Sequence, residues 1–264
     1  MIDFKKGTEQ MDRPEILCRL FFPRKEPVEG LKLPNVISPV FEVDEDVFVG
    51  CRFYPVQIDG PNILYFHGNG ETCLDYDYVA PLYGGRGLNL FVADYRGYGY
   101  SNGQPTCSSM INDVHPIFRG FIAMLSEKGH TGDIYVMGRS LGSASAIEAA
   151  YHYQDKLIGL VVESGFASAG NQFKRLGVDH FLKENEDPLG FGNDIKIKKI
   201  SLPTLIIHGE EDRVIPCEEG KKLYKLSGAY EKKLLLIPGV GHNDLMMLAA
   251  NEYTAAIEKF TKRQ

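Results

Sequence analysis

A serine with a glycine two residues away on each side is the clearest candidate for chemistry in this chain. Residues 138–142 read Gly-Arg-Ser-Leu-Gly, with Ser140 at the centre of a G-x-S-x-G pattern. Glycine is needed at the outer positions because the backbone crowds itself around such a serine. The apolar run 134–137 predicts a buried strand before it, and the small residues 143–146 predict a closely packed helix after it. Ser140 would then be a nucleophile at a strand-to-helix turn, with the Leu141 N–H as an oxyanion donor.

A second glycine-containing loop follows the strand predicted at residues 62–66. It reads His-Gly-Asn-Gly over 67–70. Such a sequence lets the backbone turn sharply and direct an N–H toward a neighbouring loop, where it can stabilise an oxyanion. We assign this second donor to the main-chain N–H of Asn69. The plain alternative is an ordinary turn between a strand and a helix.

Histidines and carboxylates follow several predicted strands and offer partners for Ser140. His67 and His208 each precede a glycine at a strand end, so they are better suited to orienting loops. His242 lies in a glycine-containing loop after the last strand and is the better candidate for a base. Two carboxylates follow core strands beyond the serine, Glu163 and Asp212, and either strand end can in principle face the histidine.

The elements that would position these groups alternate between strands and helices. This alternation predicts an α/β fold, with a mostly parallel central sheet covered by helices on both faces. Two extended runs between residues 34 and 56 predict an antiparallel hairpin at the N-terminal side. We expect a single domain over 1–264, with 166–202 as a short lid inserted between two strands.

Three further stretches are interpreted as structural. Residues 74–83 are expected to form a helix. The loop 94–103 alternates glycine with aromatic residues but lacks the G-x-G-x-x-G spacing of a phosphate cradle, so it is expected to be scaffolding near the site. Apolar residues recur at helical spacing over 111–125 and predict a core-facing helix. Pro116 fits its first turn if Asn112 or Asp113 caps the helix, and His115 would be a surface or capping residue.

Composition excludes several classes of function. The net charge is −6 and no long block of one sign occurs, which argues against nucleic acid as a partner. No apolar run reaches the roughly 18 residues of a membrane span, and the N-terminal residues do not resemble a signal peptide. The five cysteines are scattered without a C-x-x-C pair, which suits a reducing cytoplasm. We therefore expect a cytoplasmic protein.

Six blocks in the chain occur together in a known family. They are YFHGNGE, DYRGYGYSNGQP, GRSLGSASAIEAA, ESGFAS, PTLIIHGEEDRVIP and IPGVGHNDL, and they cover roughly residues 60–250. In this order they resemble the α/β-hydrolase fold, and in particular its short-lidded branch of serine aminopeptidase-like and depalmitoylase-like proteins. The resemblance implies Ser140 as nucleophile, Asp212 as acid and His242 as base, with the N–H groups of Asn69 and Leu141 as oxyanion hole.

The expected activity is hydrolysis of a carboxylic ester, thioester or amide of a small-molecule or acylated substrate, through an acyl-enzyme on Ser140. No metal or organic cofactor is expected. A non-catalytic binding or scaffold protein on the same fold is the alternative, because a fold does not establish a function. A dehalogenase is disfavoured because it would require aspartate at position 140. Acyl specificity and oligomeric state are left open.

Overall fold

A computed structural model describes residues 4–27, 33–181 and 190–262. Within them eight strands form one sheet in the order β1-β2-β4-β3-β5-β6-β7-β8. The strands are β1 Val40–Asp44, β2 Val47–Tyr54, β3 Asn62–Phe66, β4 Asn89–Ala93, β5 Ile134–Arg139, β6 Gly159–Glu163, β7 Thr204–Gly209 and β8 Lys232–Ile237.

The sheet is mostly parallel. β1 pairs antiparallel with β2, and β2 pairs antiparallel with β4. All the pairs from β4 through β3, β5, β6 and β7 to β8 are parallel. This confirms the predicted fold class and its N-terminal hairpin. Because parallel strands share a direction, the loops after β3, β5, β6, β7 and β8 all emerge at one edge of the sheet.

Helices surround this sheet. They are α1 Phe4–Glu9, α2 Pro14–Leu20, α3 Ala80–Gly84, α4 Cys107–Asn112, α5 Val114–Lys128, α6 Gly142–His152, α7 Ala169–Leu176, α8 Asn193–Lys196, α9 Cys217–Leu226, α10 Leu245–Leu248 and α11 Ala250–Thr261.

Alternate residues of the fully buried strand β3 contribute to two separate cores. Leu64 belongs to the core that contains α5 and α6 residues such as Phe121 and Ala146. Tyr65 belongs to the core that contains Tyr83 of α3 and Tyr253 of α11. Side chains of neighbouring strand residues point to opposite faces, so both faces of the sheet are covered by helices, as predicted.

Several helices differ in detail from the sequence prediction. The helix expected at residues 74–83 is divided into a 3₁₀ turn, Cys73–Asp77, and α3, because Pro81 lacks an N–H and so starts a helix instead of continuing one. Pro116 lies in the first turn of α5, as expected. Asp113 occupies the N-cap position, but its carboxylate accepts hydrogen bonds from Arg96 instead of capping the helix.

The described part of the predicted lid is helical. It contains α7, α8 and two 3₁₀ turns, Asp179–Phe181 and Ile197–Lys199, and no strand occurs among its described residues. Residues 182–189 of the predicted insertion lie outside the described residues. In the described ranges no helix is long and apolar enough to cross a bilayer. All five cysteines have free thiols.

Candidate active site

Ser140 lies at a sharp turn between β5 and α6. Its φ is 52°, a left-handed conformation that is strained for any residue with a side chain. A Cβ at Gly138 would lie 2.2 Å from the carbonyl oxygen of Gly142, and a Cβ at Gly142 would lie 2.2 Å from that of Phe66. Glycine is therefore required on both sides, because the turn presses its backbone against itself and against β3.

A continuous chain of hydrogen bonds joins Ser140, His242 and Asp212. Ser140 Oγ lies 2.9 Å from His242 Nε2, and His242 Nδ1 lies 2.7 Å from Asp212 Oδ2. Asp212 follows β7 and His242 follows β8, and all three residues are less than 10% exposed, at 7%, 9% and 5% for the serine, histidine and aspartate. With Nδ1 donating its proton to the carboxylate, Nε2 is left to accept the serine proton.

The carboxylate of Asp212 is held by its own loop. Its Oδ1 accepts the amides of Val214 at 2.9 Å and Ile215 at 2.8 Å. Burial by itself would raise the pKa of Asp212, but hydrogen bonds from His208 and His242 and the backbone lower it well below its usual range. The group therefore remains an anion that can orient the imidazole and stabilise its charged form.

His208 and His67 lie away from the serine, as the sequence prediction favoured. His208 Nε2 is 2.7 Å from the carbonyl oxygen of Ile215 and braces the loop of Asp212. His67 is completely buried, with Nδ1 2.7 Å from the carbonyl oxygen of Gly68 and Nε2 3.0 Å from Asp94 Oδ1. Both rings are used to hold loops at the carboxyl edge of the sheet.

Glu163, the alternative acid, has a different set of partners. Its Oε2 accepts hydrogen bonds from the hydroxyls of Tyr65 at 3.0 Å and Tyr253 at 2.7 Å, and its Oε1 lies 3.1 Å from Arg139 Nε. The imidazole of His242 is hydrogen-bonded to Asp212 instead. Glu163 thus braces neighbouring elements and takes no part in the chain that ends at the serine.

Leu141 and Asn69, whose main-chain N–H groups are the predicted oxyanion donors, line the same pocket as Ser140. Among the described residues neither of these main-chain groups donates a hydrogen bond to a protein acceptor. The side chain of Asn69, by contrast, makes three hydrogen bonds. Its Oδ1 accepts the Phe22 N–H at 3.0 Å and the Tyr98 hydroxyl at 2.6 Å, and its Nδ2 donates to the Leu20 carbonyl at 2.7 Å. The side chain of Asn69 is therefore bonded within the protein, whereas its backbone N–H has no acceptor among the described residues.

The loop 94–103 supports this corner of the site, in line with its predicted scaffolding role. The Tyr95 hydroxyl donates to the His67 carbonyl at 2.7 Å, and Asp94 accepts the Cys73 N–H at 2.6 Å. Together with the bond from Tyr98 to Asn69, these contacts fix the loop that follows β3.

A mostly apolar pocket of about 290 Å³ opens beside Ser140. Its walls combine the loops of the serine and histidine with side chains from the predicted lid and the N-terminal segment. The apolar members are Leu20, Phe22, Leu141, Phe166, Ala169, Phe173, Leu176, Phe191, Val214 and Ile215. A pocket of this kind accepts an apolar group and keeps water away from it.

The contribution of the N-terminal segment to this pocket is absent from the sequence prediction. α2 and the residues after it supply Arg19, Leu20 and Phe22 to the wall. Phe22 is 57% exposed, although it is a large apolar residue. The cluster of apolar residues at 16–22 was the available signal, but its position over the site depends on contacts with residues distant in the chain.

Arg139, the residue between the glycine and the serine of the G-x-S-x-G pattern, is also absent from the sequence prediction of the site. Its side chain is buried and lies between the carboxylates of Glu71 and Glu163. Its Nη2 also donates to the carbonyl oxygen of His242 at 2.8 Å and to Asn243 Oδ1 at 2.9 Å. An arginine at the end of a buried strand was the signal, because such a residue must find several acceptors.

One cluster in the described ranges has the residue types of a metal site. Ligand atoms of His115, Glu148 and His152 lie within 4.8 Å of one another, between α5 and α6. However, Glu148 is already paired with Lys196 and with His152, and His115 Nδ1 lies 2.9 Å from the Tyr153 hydroxyl. These contacts satisfy the cluster as a polar bridge between helices, at the end of α6 away from Ser140.

Comparison with known proteins places this geometry in a family. The model of a family described as serine aminopeptidase, S33, matches residues 61–183 and 195–246. Protein ABHD12B of Homo sapiens is 30% identical over 256 residues, covering 81% of this chain and 69% of that protein. Lysophosphatidylserine lipase ABHD12 of Xenopus tropicalis is 33% identical over 187 residues, covering 63% of this chain and 47% of that protein.

A solved structure has the same fold. The Pyrococcus furiosus esterase Pf2001 superposes with a TM-score of 0.73 at 18% identity, covering 92% of this chain and 97% of that one. Together with the family match over most of the chain, this makes the protein an enzyme of the hydrolase type. The chain belongs to the serine aminopeptidase S33 family of α/β-hydrolase-fold serine hydrolases.

Proposed function

We propose that this protein is a serine esterase that hydrolyses carboxylic esters of apolar acyl groups through an acyl-enzyme on Ser140. The observation that carries the proposal is the hydrogen-bonded chain from Ser140 through His242 to Asp212 at the base of an apolar pocket. Ser140 is the nucleophile, His242 the general base and then the general acid, and Asp212 the orienting acid.

In the acylation step Ser140 Oγ attacks the ester carbonyl while His242 Nε2 takes the serine proton. The charge that develops on the carbonyl oxygen is stabilised by the N–H groups of Leu141 and Asn69, which have no acceptor in the described part of the protein. The imidazolium then gives its proton to the leaving alcohol, and Asp212 stabilises this charged form.

Deacylation repeats the sequence with water as the nucleophile. His242 takes a proton from water, the hydroxide attacks the acyl carbonyl, and Ser140 leaves as its proton is returned. All of these transfers use side chains and backbone groups of this chain. The strained φ of Ser140 holds Oγ above the sheet edge so that it can meet both the substrate and the imidazole.

The size and lining of the pocket support a short to medium acyl chain. A methylene has about the volume of a water molecule, roughly 30 Å³, so 290 Å³ has room for about ten heavy atoms. The apolar lining favours a hydrocarbon chain. The relatives described as a lysophosphatidylserine lipase and an esterase act on substrates of the same chemical class, acyl esters.

Covalent labelling tests the nucleophile directly. A fluorophosphonate probe should label the wild-type protein once, and Ser140→Ala should abolish the labelling while the thermal melt changes little. Ser145→Ala is the matched control, because Ser145 is a buried serine on the following helix. Labelling that persists in Ser140→Ala would refute the assignment, and a wild-type protein that is never labelled would favour the non-catalytic alternative.

A series of p-nitrophenyl esters of increasing acyl length tests the substrate class. We expect kcat/KM to be greatest at a medium chain length. Leu176→Trp should move this optimum toward shorter chains, because Leu176 of α7 lines the pocket. Lys174→Trp on the same helix is the control, because Lys174 is exposed and lies outside the pocket wall. An optimum that is identical in all three proteins would exclude this pocket as the acyl site.

A further inference from the structure

We propose that Arg139 is a positioning residue that holds the loops of His242 and Asn69 in register with Ser140. This inference depends on the serine-hydrolase function proposed above and assigns part of its catalytic rate to a residue that does not touch the reacting atoms. The structural basis is a set of hydrogen bonds from one guanidinium to groups on two loops and at the end of β6.

The first contact is with the loop that carries the imidazole. Arg139 Nη2 donates to the carbonyl oxygen of His242 at 2.8 Å and to Asn243 Oδ1 at 2.9 Å. Arg139 is also the residue immediately before Ser140. One residue therefore joins the backbone of the serine turn to the backbone of the histidine, while the two catalytic side chains meet at 2.9 Å.

The second contact reaches the loop that carries the oxyanion donor. Arg139 Nη1 is paired with Glu71 Oε1. The other oxygen of Glu71 accepts the Gly68 N–H at 2.8 Å and the Tyr76 hydroxyl at 2.9 Å. Gly68 immediately precedes Asn69 in the chain. Glu71 therefore links Arg139 to the loop that carries the proposed oxyanion donor, the Asn69 N–H.

The third contact anchors the guanidinium to the sheet. Arg139 Nε lies 3.1 Å from Glu163 Oε1, and Glu163 Oε2 is held by the hydroxyls of Tyr65 on β3 and Tyr253 on α11. Burial would lower the pKa of Arg139, but the charges of Glu71 and Glu163 raise it, so the guanidinium stays charged. Arg139 is thus fixed to β6 as well as to the two loops.

Lysine could not replace this residue. The guanidinium is a planar fork that donates from three nitrogens at fixed angles, whereas an ammonium is a point charge on a flexible stem. Here Nη1 and Nη2 each bond a different loop, and Nε bonds the end of β6. An arginine-to-lysine exchange would keep the charge between the two carboxylates but could not reach both loops and β6 at once.

The test compares Arg139→Ala, Arg139→Lys and the wild-type protein on one activated ester. We expect kcat to fall about 10²-fold in Arg139→Ala, the scale for misplacing catalytic groups by about 1 Å. KM should change less than about threefold, because the apolar wall that would bind the acyl group is unaltered. Arg139→Lys should recover only a small part of the loss.

Chemical rescue separates positioning from a general loss of structure. A cavity of about 220 Å³ borders Arg139 together with Glu71, Glu163 and Asn243, so a small cation has a route to the vacated site. Methylguanidinium, at a concentration well below that which denatures the protein, should raise the kcat of Arg139→Ala at least tenfold. Methylammonium at equal ionic strength is the control and should restore little. Equal rescue by both cations, or by neither, would contradict the proposal.

Two further measurements keep the outcome decisive. If Arg139→Ala does not fold, the double variant Arg139→Met with Glu163→Gln removes the buried charge of Glu163 that would otherwise lack a partner. The same fall in kcat is expected from this double variant.

The rate of fluorophosphonate labelling distinguishes this inference from the proposed function. A wild-type protein that is not labelled refutes the serine-hydrolase function, whereas normal labelling and kcat in a folded Arg139 variant refute the positioning role alone.

Discussion

Replacing Asp212 with asparagine should reverse the hydrogen-bonding direction of the imidazole. In the structure Asp212 Oδ1 accepts two amides, from Val214 at 2.9 Å and Ile215 at 2.8 Å, and Oδ2 lies 2.7 Å from His242 Nδ1. In Asp212→Asn the remaining oxygen should keep the two amides, because an NH₂ group cannot accept them. The new NH₂ group then faces Nδ1 and donates to it.

This reversal has a large effect on the rate. His242 Nδ1 becomes an acceptor, the ring proton moves to Nε2, and Nε2 can no longer take the proton of Ser140 Oγ at 2.9 Å. The wrong tautomer costs about 10⁴-fold in kcat in a site of this kind, or about 5.5 kcal/mol of barrier at 1.36 kcal/mol per factor of ten. The Asp212 loop should stay folded, because its two amide contacts are retained.

The assay is the turnover of one activated ester, with thermal melts as a folding control. Glu163→Gln is the matched comparison, because Glu163 also lies at the carboxyl end of a core strand but bonds Tyr65, Tyr253 and Arg139. We expect the kcat of Glu163→Gln to fall less than about tenfold, since one hydrogen bond from the Arg139 guanidinium is weakened and the tautomer of His242 is unchanged. A larger loss in well-folded Glu163→Gln than in Asp212→Asn would refute the assignment of the acid.

Three further predictions follow from the geometry. Asn69→Ala should lower the free energy of unfolding by about 1–3 kcal/mol in a denaturant titration, because three side-chain hydrogen bonds are lost, yet it should leave kcat within a few-fold of the wild-type value. Asn69→Pro should lower kcat about 10²–10³-fold. A larger loss of kcat in Asn69→Ala than in Asn69→Pro would point to side-chain donation. Gly142→Ala should cost about 3 kcal/mol of stability, because its Cβ would meet the Phe66 carbonyl oxygen at 2.2 Å. Gly129→Ala, with open space around the added Cβ, should cost about 1 kcal/mol. Equal melting temperatures of the two variants would contradict this prediction. The pKa of Asp212 is lowered in the folded state, so its contribution to stability is present above the unfolded pKa of about 3.9 and is lost as the pH falls below that value toward the folded pKa. The difference in the free energy of unfolding between wild type and Asp212→Asn should therefore shrink on acidification. A difference that stays constant with pH would contradict this prediction.

The positions of the strands along the chain and the mostly parallel character of the sheet could be predicted from the sequence, because they depend on local patterns and on the alternation of strands with helices. Buried parallel strands are recognised as short apolar runs, and the turn at Ser140 is recognised because only glycine fits on either side of it. The helix at 74–83 was the clearest departure, because Pro81 started a new helix within it. Asn112 or Asp113 was expected to cap α5; Asp113 occupies that position, but its carboxylate bonds Arg96, which local patterns do not predict.

The acid shows where local patterns stop being informative. Glu163 ends β6 and Asp212 follows β7, so the strand pattern alone allows either carboxylate to face His242, and the sequence prediction preferred Asp212 for its longer loop and its resemblance to the family. The tertiary structure separates them, because the loop after β7 returns toward His242 while Glu163 is held by two tyrosines from β3 and α11. Such contacts depend on how loops close over long sequence separations, which hydrophobic periodicity does not describe.

The sequence alone determined the parallel sheet, the serine turn and the strand ends at which Ser140, His242 and Asp212 stand, because each of these follows from backbone sterics or from the shared direction of parallel strands. The three-dimensional arrangement decided the rest. It brought the N-terminal segment over the pocket, bonded Asn69 to Leu20 and Phe22, and gave Arg139 its acceptors on two loops and on β6. These features join residues dozens of positions apart, and their partners are selected by packing and by the need to satisfy buried polar groups.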